Sequence, residues 1–295
     1  MKNISKICFL FSVLIAFNSC TDVVQVKLYE GSKLYIIDAF VSDLRVDQKI
    51  RVVTNSPYFG TTEPPAVANA AVVLTDLNLN KNYVFNYSSN GYYTFPVKAG
   101  DTISRPNHQY QLKVTIDGLT YTSLINQKRG AILDTILTQE ETGNGGFGPP
   151  RKDTAYSCFL LARDLVGPNT DYYWIKTFRN DTLFNAPGDI NTCIDGTGGP
   201  VVSADRDTLE FSEPATLLGF KQYKRFNTCK VEINSVTKET YFFLLQALQQ
   251  INNGGLFATT PENVKTNIVT PKDAKTKAVG WFSMSTVASM KIVVK

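Results

Sequence analysis

Hydrophobic and polar positions alternate with a period of two over most of the first half of the chain. In QYQLKVTI (residues 109–116) every second residue is apolar and the residues between them are polar, as expected for a strand with one buried face. Asp117-Gly118 follows and favours a hairpin turn, because glycine tolerates positive φ. Similar runs rich in β-branched and aromatic residues recur about every ten residues, a spacing typical of sandwiches. The pattern therefore predicts an antiparallel β-sandwich over residues 20–128.

The pattern changes between residues 129 and 153. This segment passes from an apolar half into the Gly/Pro-rich tract GNGGFGPPRKD, which predicts a linker between domains or the tip of a long hairpin. TAYSCFLLARD and DYYWIKTFRND then have the composition of strands, and the closing segment AVGWFSMSTVASMKIVVK predicts two more. We therefore expect a second, β-rich domain over residues 154–295.

One helix is expected inside this second domain. SVTKETYFFLLQALQQINNGG places apolar residues at helical spacing, namely Tyr241, Leu244, Leu245 and Leu248. Ser235 or Thr237 can cap its first turn, Glu239 suits the positive end of the helix dipole, and Gly254-Gly255 can end it. The sequence thus predicts a mainly-β fold with one main α-helix over about residues 237–252.

The N-terminus has the pattern of a signal peptide. Lys2 and Lys6 precede an apolar run over residues 7–17, which is too short to span the hydrocarbon core of a membrane comfortably. Ser19-Cys20 at its end resembles a bacterial lipoprotein signal, in which the cysteine thiol receives a diacylglycerol and becomes the first residue after cleavage. We predict a signal peptide over residues 1–19 and lipidation of Cys20; a plain secretory leader with an incidental cysteine is the alternative.

Composition and charge exclude several classes of protein. The chain has 295 residues, is 43% hydrophobic and only 19% charged, so it can bury a sizeable core and is not intrinsically disordered. The net charge is +4 and falls to +2 without the two leader lysines, which gives no basic face for nucleic acid. We therefore expect no nucleic-acid partner.

Three cysteines follow Cys20, which is an odd number for an oxidising compartment. Cys158 lies in the strand-like run AYSCFLLAR, where a buried free thiol is common. Cys193 and Cys229 lie in loop-like or strand-edge segments, so we predict a disulfide between these two. With one histidine and no CxxC motif, the sequence predicts no zinc site and no other metal.

The motifs that could indicate catalysis are weak. GNGGFG (residues 143–148) fits a dinucleotide-binding pattern, but Pro149-Pro150 forbids the helix that should follow. The single histidine, His108, lies at an expected loop tip, and no GxSxG motif presents a serine to it. Loop carboxylates could hydrolyse glycosides or, over residues 189–207, bind calcium; turn formation explains most of them. These are Asp153, Asp164, Asp171, Asp189, Asp195, Asp205 and Asp207. We predict no enzyme and no cofactor, with the hydrolase and calcium kept as alternatives.

Aromatic residues are the better candidates for ligand contact. Tyr172, Tyr173 and Trp174 are consecutive, and Trp281 lies in the closing segment. Such side chains can stack on sugars or peptides at a recognition surface, and they can equally pack in the core of a β-protein.

Several segments resemble one family. VANAAVVLTD, Gly91 with Tyr93, and residues 110–121 are similar to the N-terminal module of Bacteroidota lipoproteins grouped as domain of unknown function 4249, a module similar to carboxypeptidase-regulatory-like, immunoglobulin-type domains. DYYWIKTF resembles a later segment, with Asp171 where Asn is common, and FATTPENVKTN resembles the motif that follows the family's late helix. The resemblance implies an immunoglobulin-like sandwich and supplies no catalytic residues.

Family members resemble outer-membrane lipoproteins expected beside TonB-dependent receptors. The resemblance therefore implies a non-catalytic binding or accessory protein, anchored at the outer membrane and plausibly serving a TonB-dependent transporter. A stand-alone carbohydrate- or peptide-binding module is the alternative.

Overall fold

The computed structural model describes residues 31–56, 62–98, 101–141, 154–163, 170–186, 188–194, 221–254 and 264–295. The predicted signal peptide, Cys20 and residues 142–153 of the predicted linker lie outside them. No helix within these ranges is long and apolar enough to cross a bilayer. The strands are β1 (Leu34–Ser42), β2 (Gln48–Thr54), β3 (Ala71–Asp76), β4 (Lys81–Ser89), β5 (Tyr92–Phe95), β6 (Gln109–Ile116), β7 (Leu119–Asn126), β8 (Ile132–Glu141), β9 (Ala155–Arg163), β10 (Tyr172–Arg179), β11 (Thr182–Leu183), β12 (Asn191–Ile194), β13 (Thr228–Val236) and β14 (Lys277–Val293); the helix is α1 (Lys238–Ile251).

The predicted mainly-β fold with one helix is confirmed. Eleven strands follow one another in the order β11-β10-β13-β14-β1-β2-β5-β4-β3-β6-β7, and β12 also pairs with β10. Neighbouring strands are antiparallel except β1 and β14, which pair in parallel over nine residues each. A separate hairpin, β8–β9, packs beside them.

The first core lies between two layers of the folded-over sheet. The alternation predicted in β6 is confirmed, since Tyr110, Leu112, Val114 and Ile116 are all at most 2% exposed. They pack with the inward residues of β1 and β2, such as Ile37 and Val52, which alternate for the same reason. Asp117 (φ 50°) and Gly118 (φ 81°) form the predicted turn between β6 and β7.

The second core lies between the β8–β9 hairpin and the strands β10, β13 and β14. Its buried members include Cys158, Leu160, Tyr173, Ile175, Cys229, Val231 and Ile233. Strand β14 contributes to both cores from one face, because Phe282 and Met284 lie in the first core while Met290 and Ile292 pack against the second. A single continuous strand thus links the two cores.

This arrangement differs from the predicted division into domains at 20–128 and 154–295. The described residues from 33 onward form one compact unit, in which the closing strand pairs with the first described strand. The closing segment is also one 17-residue strand instead of two, since its first half pairs with β1 and its second half with β13. The pattern of apolar residues could not reveal a partner more than 200 residues away.

Helix α1 covers the face of the sheet opposite the two cores. Thr237 caps it as predicted, its side chain accepting the Thr240 N–H, and Glu239 lies in the first turn. The indole N–H of Trp281 donates to Thr240 Oγ1 at 3.0 Å, and Phe243 stacks on the same ring at 4.4 Å between centroids. These contacts hold the N-terminal half of the helix against β14.

Candidate functional site

The four aromatic residues predicted to contact a ligand fall into two groups. Tyr173 is fully buried in the second core and Trp281 is 5% exposed under α1, so both have structural positions. Tyr172 and Trp174 point to the other face of β10 from Tyr173, are half-buried, and each lines a different cavity. Because side chains alternate between the two faces of a strand, Tyr173 lies on one face of β10 and Tyr172 and Trp174 lie on the other.

The larger cavity, which we call the Tyr172 cleft, has a volume of about 590 Å³. It opens where the end of β7, the start of β10 and the N-terminus of α1 come together. Its lining residues are Gln109, Leu124, Ile125, Asn126, Lys128, Thr170, Asp171, Tyr172, Val236, Thr237, Lys238, Glu239 and Asn267. A volume of this size is in the range of small-molecule sites.

A buried ion pair positions Tyr172. Asp171 is 6% exposed, and Arg129 binds it through Nε at 2.8 Å and through a terminal guanidinium nitrogen at 2.6 Å. The pair ties the segment after β7 to the start of β10. The Tyr172 ring then packs against Tyr241 of α1, with centroids 5.2 Å apart. Sequence reasoning missed Arg129, because no local signal links residues 42 positions apart.

Asn267 forms another wall of the Tyr172 cleft. Its amide N–H₂ donates to the Phe282 carbonyl at 2.7 Å, and its carbonyl accepts the Phe282 N–H at 2.8 Å. This pair of bonds fixes an otherwise irregular segment to β14. Because the nitrogen and the oxygen of the Asn267 amide are both hydrogen-bonded to Phe282, this side chain is fixed at the wall of the cleft.

Most of the side chains that line the Tyr172 cleft are polar, and Leu124, Ile125 and Val236 add apolar surface. Two are basic, Lys128 and Lys238, and two are acidic, Asp171 and Glu239. Gln109 and Asn126 add amides, which bond to each other at 3.1 Å. The cleft therefore offers hydrogen-bond donors and acceptors around one aromatic ring, and Arg129 already neutralises the charge of Asp171.

Trp174 lines a second, smaller cavity of about 220 Å³, together with Phe184, Asp189, Ile251 and others. The Lys176 ammonium lies 4.2 Å from the centre of the Trp174 ring, and Phe40 meets the ring edge-on at 5.2 Å. Burial lowers the pKa of Lys176, against the attraction of nearby carboxylates. Since a cation already contacts the indole, this cavity is a weaker candidate for ligand stacking.

The residues considered for catalysis have other partners where the structure describes them. Asp171 pairs with Arg129, and Asp189 with Lys221. Within the described ranges no group of three or more His, Cys, Asp or Glu side chains could hold a metal ion. The GNGGFG motif, most of the 189–207 loop, and Asp153, Asp164, Asp195, Asp205 and Asp207 lie outside the described residues.

His108 is more than the surface residue at a loop tip that the sequence suggested. Its Nδ1 lies 2.8 Å from Oδ2 of Asp76, a carboxylate with 0% exposure, and its ring stacks on Tyr110. The contact joins the loop before β6 to the end of β3. The contact is structural, and it joins two residues that are 32 positions apart in sequence.

The predicted disulfide between Cys193 and Cys229 is not formed. Cys193 pairs with Tyr173 on one edge of β10, while Cys229 pairs with Arg179 on the other. Six residues of strand separate these positions by about 20 Å, whereas disulfides need Cα atoms within about 7 Å. The prediction was wrong because the order of strands around β10 is not visible in the sequence.

Comparison with known proteins identifies the family. The model for the Domain of unknown function (DUF4249) matches residues 21–291. The chain belongs to the DUF4249 family. Two segments that resemble this family, at Asp171-Tyr172 and at Asn267, meet in the Tyr172 cleft.

No curated protein matches the chain. Among solved structures it is similar to the FN1–FN3 domains of chicken CNTN1, at 11% identity and a TM-score of 0.23, over 71% of this chain and 64% of that one.

Proposed function

We propose that this DUF4249 protein is a non-catalytic binding protein, held at the outer membrane by a lipid on Cys20, and that the Tyr172 cleft receives its ligand. The ligand is a short, uncharged oligosaccharide, and the protein serves as an accessory to a TonB-dependent transporter. The observation that carries the binding role is an open cleft of about 590 Å³ with polar walls around a half-buried tyrosine.

The chemistry of the cleft favours a sugar. The amide and hydroxyl groups of the lining suit a ligand that has many hydroxyl groups. The Tyr172 ring offers an apolar face for a pyranose ring. Because Asp171 and Asn267 are held by their own partners, the cleft is preorganised, which reduces the entropy lost on binding.

The envelope location is supported by the leader. Lys2, Lys6 and the apolar run before Cys20 have the pattern of a lipoprotein signal. Three acyl chains on one cysteine would anchor the protein firmly, at about 0.8 kcal/mol for each buried CH₂ group. The transporter partner is proposed from the family resemblance.

The anchor and the partner can be tested together. We expect the protein, expressed with its own leader in a bacterium that processes lipoproteins, to fractionate with outer membranes and to carry acyl groups on Cys20. Purification in detergent through a C-terminal tag should recover a TonB-dependent transporter. Mass spectrometry of the N-terminal peptide and of the co-purified proteins provides the measurement.

The variant Cys20→Ser is the control, and it should appear in the soluble fraction without the transporter. An unmodified Cys20 thiol in the wild type would refute the anchor. Acylated protein that purifies alone would refute the transporter partnership and leave the anchor standing.

Tyr172→Ala should weaken oligosaccharide binding at least about tenfold, equivalent to about 1.4 kcal/mol, because it removes the aromatic platform. Calorimetric titration with a panel of neutral oligosaccharides measures this. Tyr87→Ala is the matched control, since Tyr87 is 43% exposed on β4 and does not line the cleft.

Equal affinities of wild type and Tyr172→Ala would contradict the assignment of the cleft. Absence of binding to every neutral oligosaccharide would contradict the ligand class. In that case binding to uncharged peptides, sensitive to Tyr172→Ala, would identify the cleft as a peptide site.

A further inference from the structure

Two buried cysteines face each other across the second core. Cys158 lies on β9 and Cys229 on β13, with exposures of 1% and 0%. Both belong to the same cluster of packed side chains. Strand β9 belongs to the β8–β9 hairpin and β13 to the large sheet, so the two thiols come from separately hydrogen-bonded sheets.

A backbone contact brings these two sheets together. Tyr156 and Tyr223 exchange N–H···O bonds of 2.9 and 3.0 Å, two residues before Cys158 on the same face of β9. Tyr223 is 1% exposed, and its hydroxyl donates to the Phe178 carbonyl at 3.4 Å. Phe178 precedes Arg179, the β10 residue that pairs with Cys229, and Tyr223 belongs to the same buried cluster as both cysteines.

The two thiols are hydrogen-bonded to each other. The Cys158 thiol donates to the Cys229 sulfur, and the Tyr223 hydroxyl shares its single proton between this sulfur and the Phe178 carbonyl. The bond from Cys158 lowers the pKa of Cys229, burial opposes this, and the bond from Tyr223 adds to the lowering. Cys229 is therefore the more acidic of the two thiols.

We propose that Cys158 and Cys229 form an intramolecular disulfide when the protein folds in the presence of a disulfide oxidant, before the second core closes over the two thiols. The Cys229 thiolate attacks one sulfur of the oxidant and releases one thiolate from it. The sulfur of Cys158, losing its proton, then displaces the second half of the oxidant. One S–S bond forms and one is broken, so two protein thiols are oxidised and the oxidant is reduced to two thiols.

The bond would clamp the hairpin β8–β9 to the large sheet. It would also close the loop between residues 158 and 229, which contains β10 with Tyr172 and Trp174. Closing a loop of this length restricts the unfolded chain strongly. The inference does not depend on the proposed ligand, since it rests on the contacts of the two thiols alone.

The test uses the full chain, fully reduced and unfolded, then refolded in the presence of glutathione disulfide. Free thiols are blocked with N-ethylmaleimide, and tryptic peptides are mapped without reduction. Trypsin places Cys158, Cys193 and Cys229 in three different peptides. We expect a cross-linked pair that contains Cys158 and Cys229, with Cys193 alkylated.

Thermal unfolding provides a second measurement. The oxidised wild type should lose about 5–10 °C in Tm when the bond is reduced with a phosphine. Cys193→Ala should lose the same amount, and Cys158→Ala should be insensitive to the phosphine. Three outcomes would each overturn the proposal. Cys158 and Cys229 are both alkylated after oxidation, or glutathione is attached to either one without a cross-link, or the disulfide involves Cys193.

Discussion

Gly280→Ala is expected to lower the free energy of unfolding by about 3–5 kcal/mol, measured by urea denaturation. Gly280 has φ of +113° and pairs with Ile37 where β14 runs parallel to β1. A Cβ at this position would lie 2.1 Å from the Ile37 carbonyl oxygen. The backbone strain and the forced separation of the two strands both contribute, because the atom in the way is main chain and cannot turn aside.

Gly118→Ala is the matched control for this prediction. Gly118 also has a positive φ, of +81°, but no heavy atom lies within 4 Å of the position its Cβ would take. It should therefore cost only the strain of the turn, about 1–2 kcal/mol. If the two variants unfold at the same urea concentration, the close approach of β1 and β14 at Gly280 is refuted.

Asp76→Ala is expected to lower the free energy of unfolding by about 3–5 kcal/mol, because it leaves several hydrogen-bond donors around a buried site without their acceptor. The Asp76 carboxylate accepts the N–H groups of Asn78 and Leu79 through one oxygen, and binds His108 and the Tyr110 hydroxyl through the other. Its removal leaves these groups without their acceptor at the end of β3. Thermal and urea unfolding of the variant provide the measurement.

The same carboxylate gives the stability a pH dependence with a definite sign. Burial alone would raise the pKa of Asp76, but the hydrogen bonds from His108 and from two backbone N–H groups lower it below the usual value. The contribution is complete above the unfolded-state pKa of about 3.9 and is lost as the pH falls through the lower folded-state value. Asp76→Ala should therefore lose less stability than the wild type as the pH falls below about 4.

Asp134→Ala is the control for Asp76→Ala. Asp134 pairs with Arg163 at 3.0 Å, and both side chains are more than 40% exposed. An exposed pair of this kind contributes about 0–1 kcal/mol. A loss for Asp76→Ala as small as that for Asp134→Ala, or an unchanged acid profile, would contradict the role assigned to the buried carboxylate.

Local features were predicted well because their causes are local. The alternation in β6, the turn at Asp117-Gly118 and the Thr237 cap each depend on residues within a few positions of one another. The candidate site was predicted only in part. Tyr172 lines the cleft, but Tyr173 is in the second core, and the neighbours that shape the cleft, Arg129 and Asn267, come from distant segments.

The sequence by itself determined the helix, most of the strands and the mainly-β character of the fold, since periodicity and capping are properties of neighbouring residues. Only the tertiary structure decided that β14 joins β1 in parallel, that one strand serves two cores, and that Cys229 faces Cys158. Strand order depends on which distant faces bury the most apolar surface together. That is a property of the whole chain, and no local pattern records it.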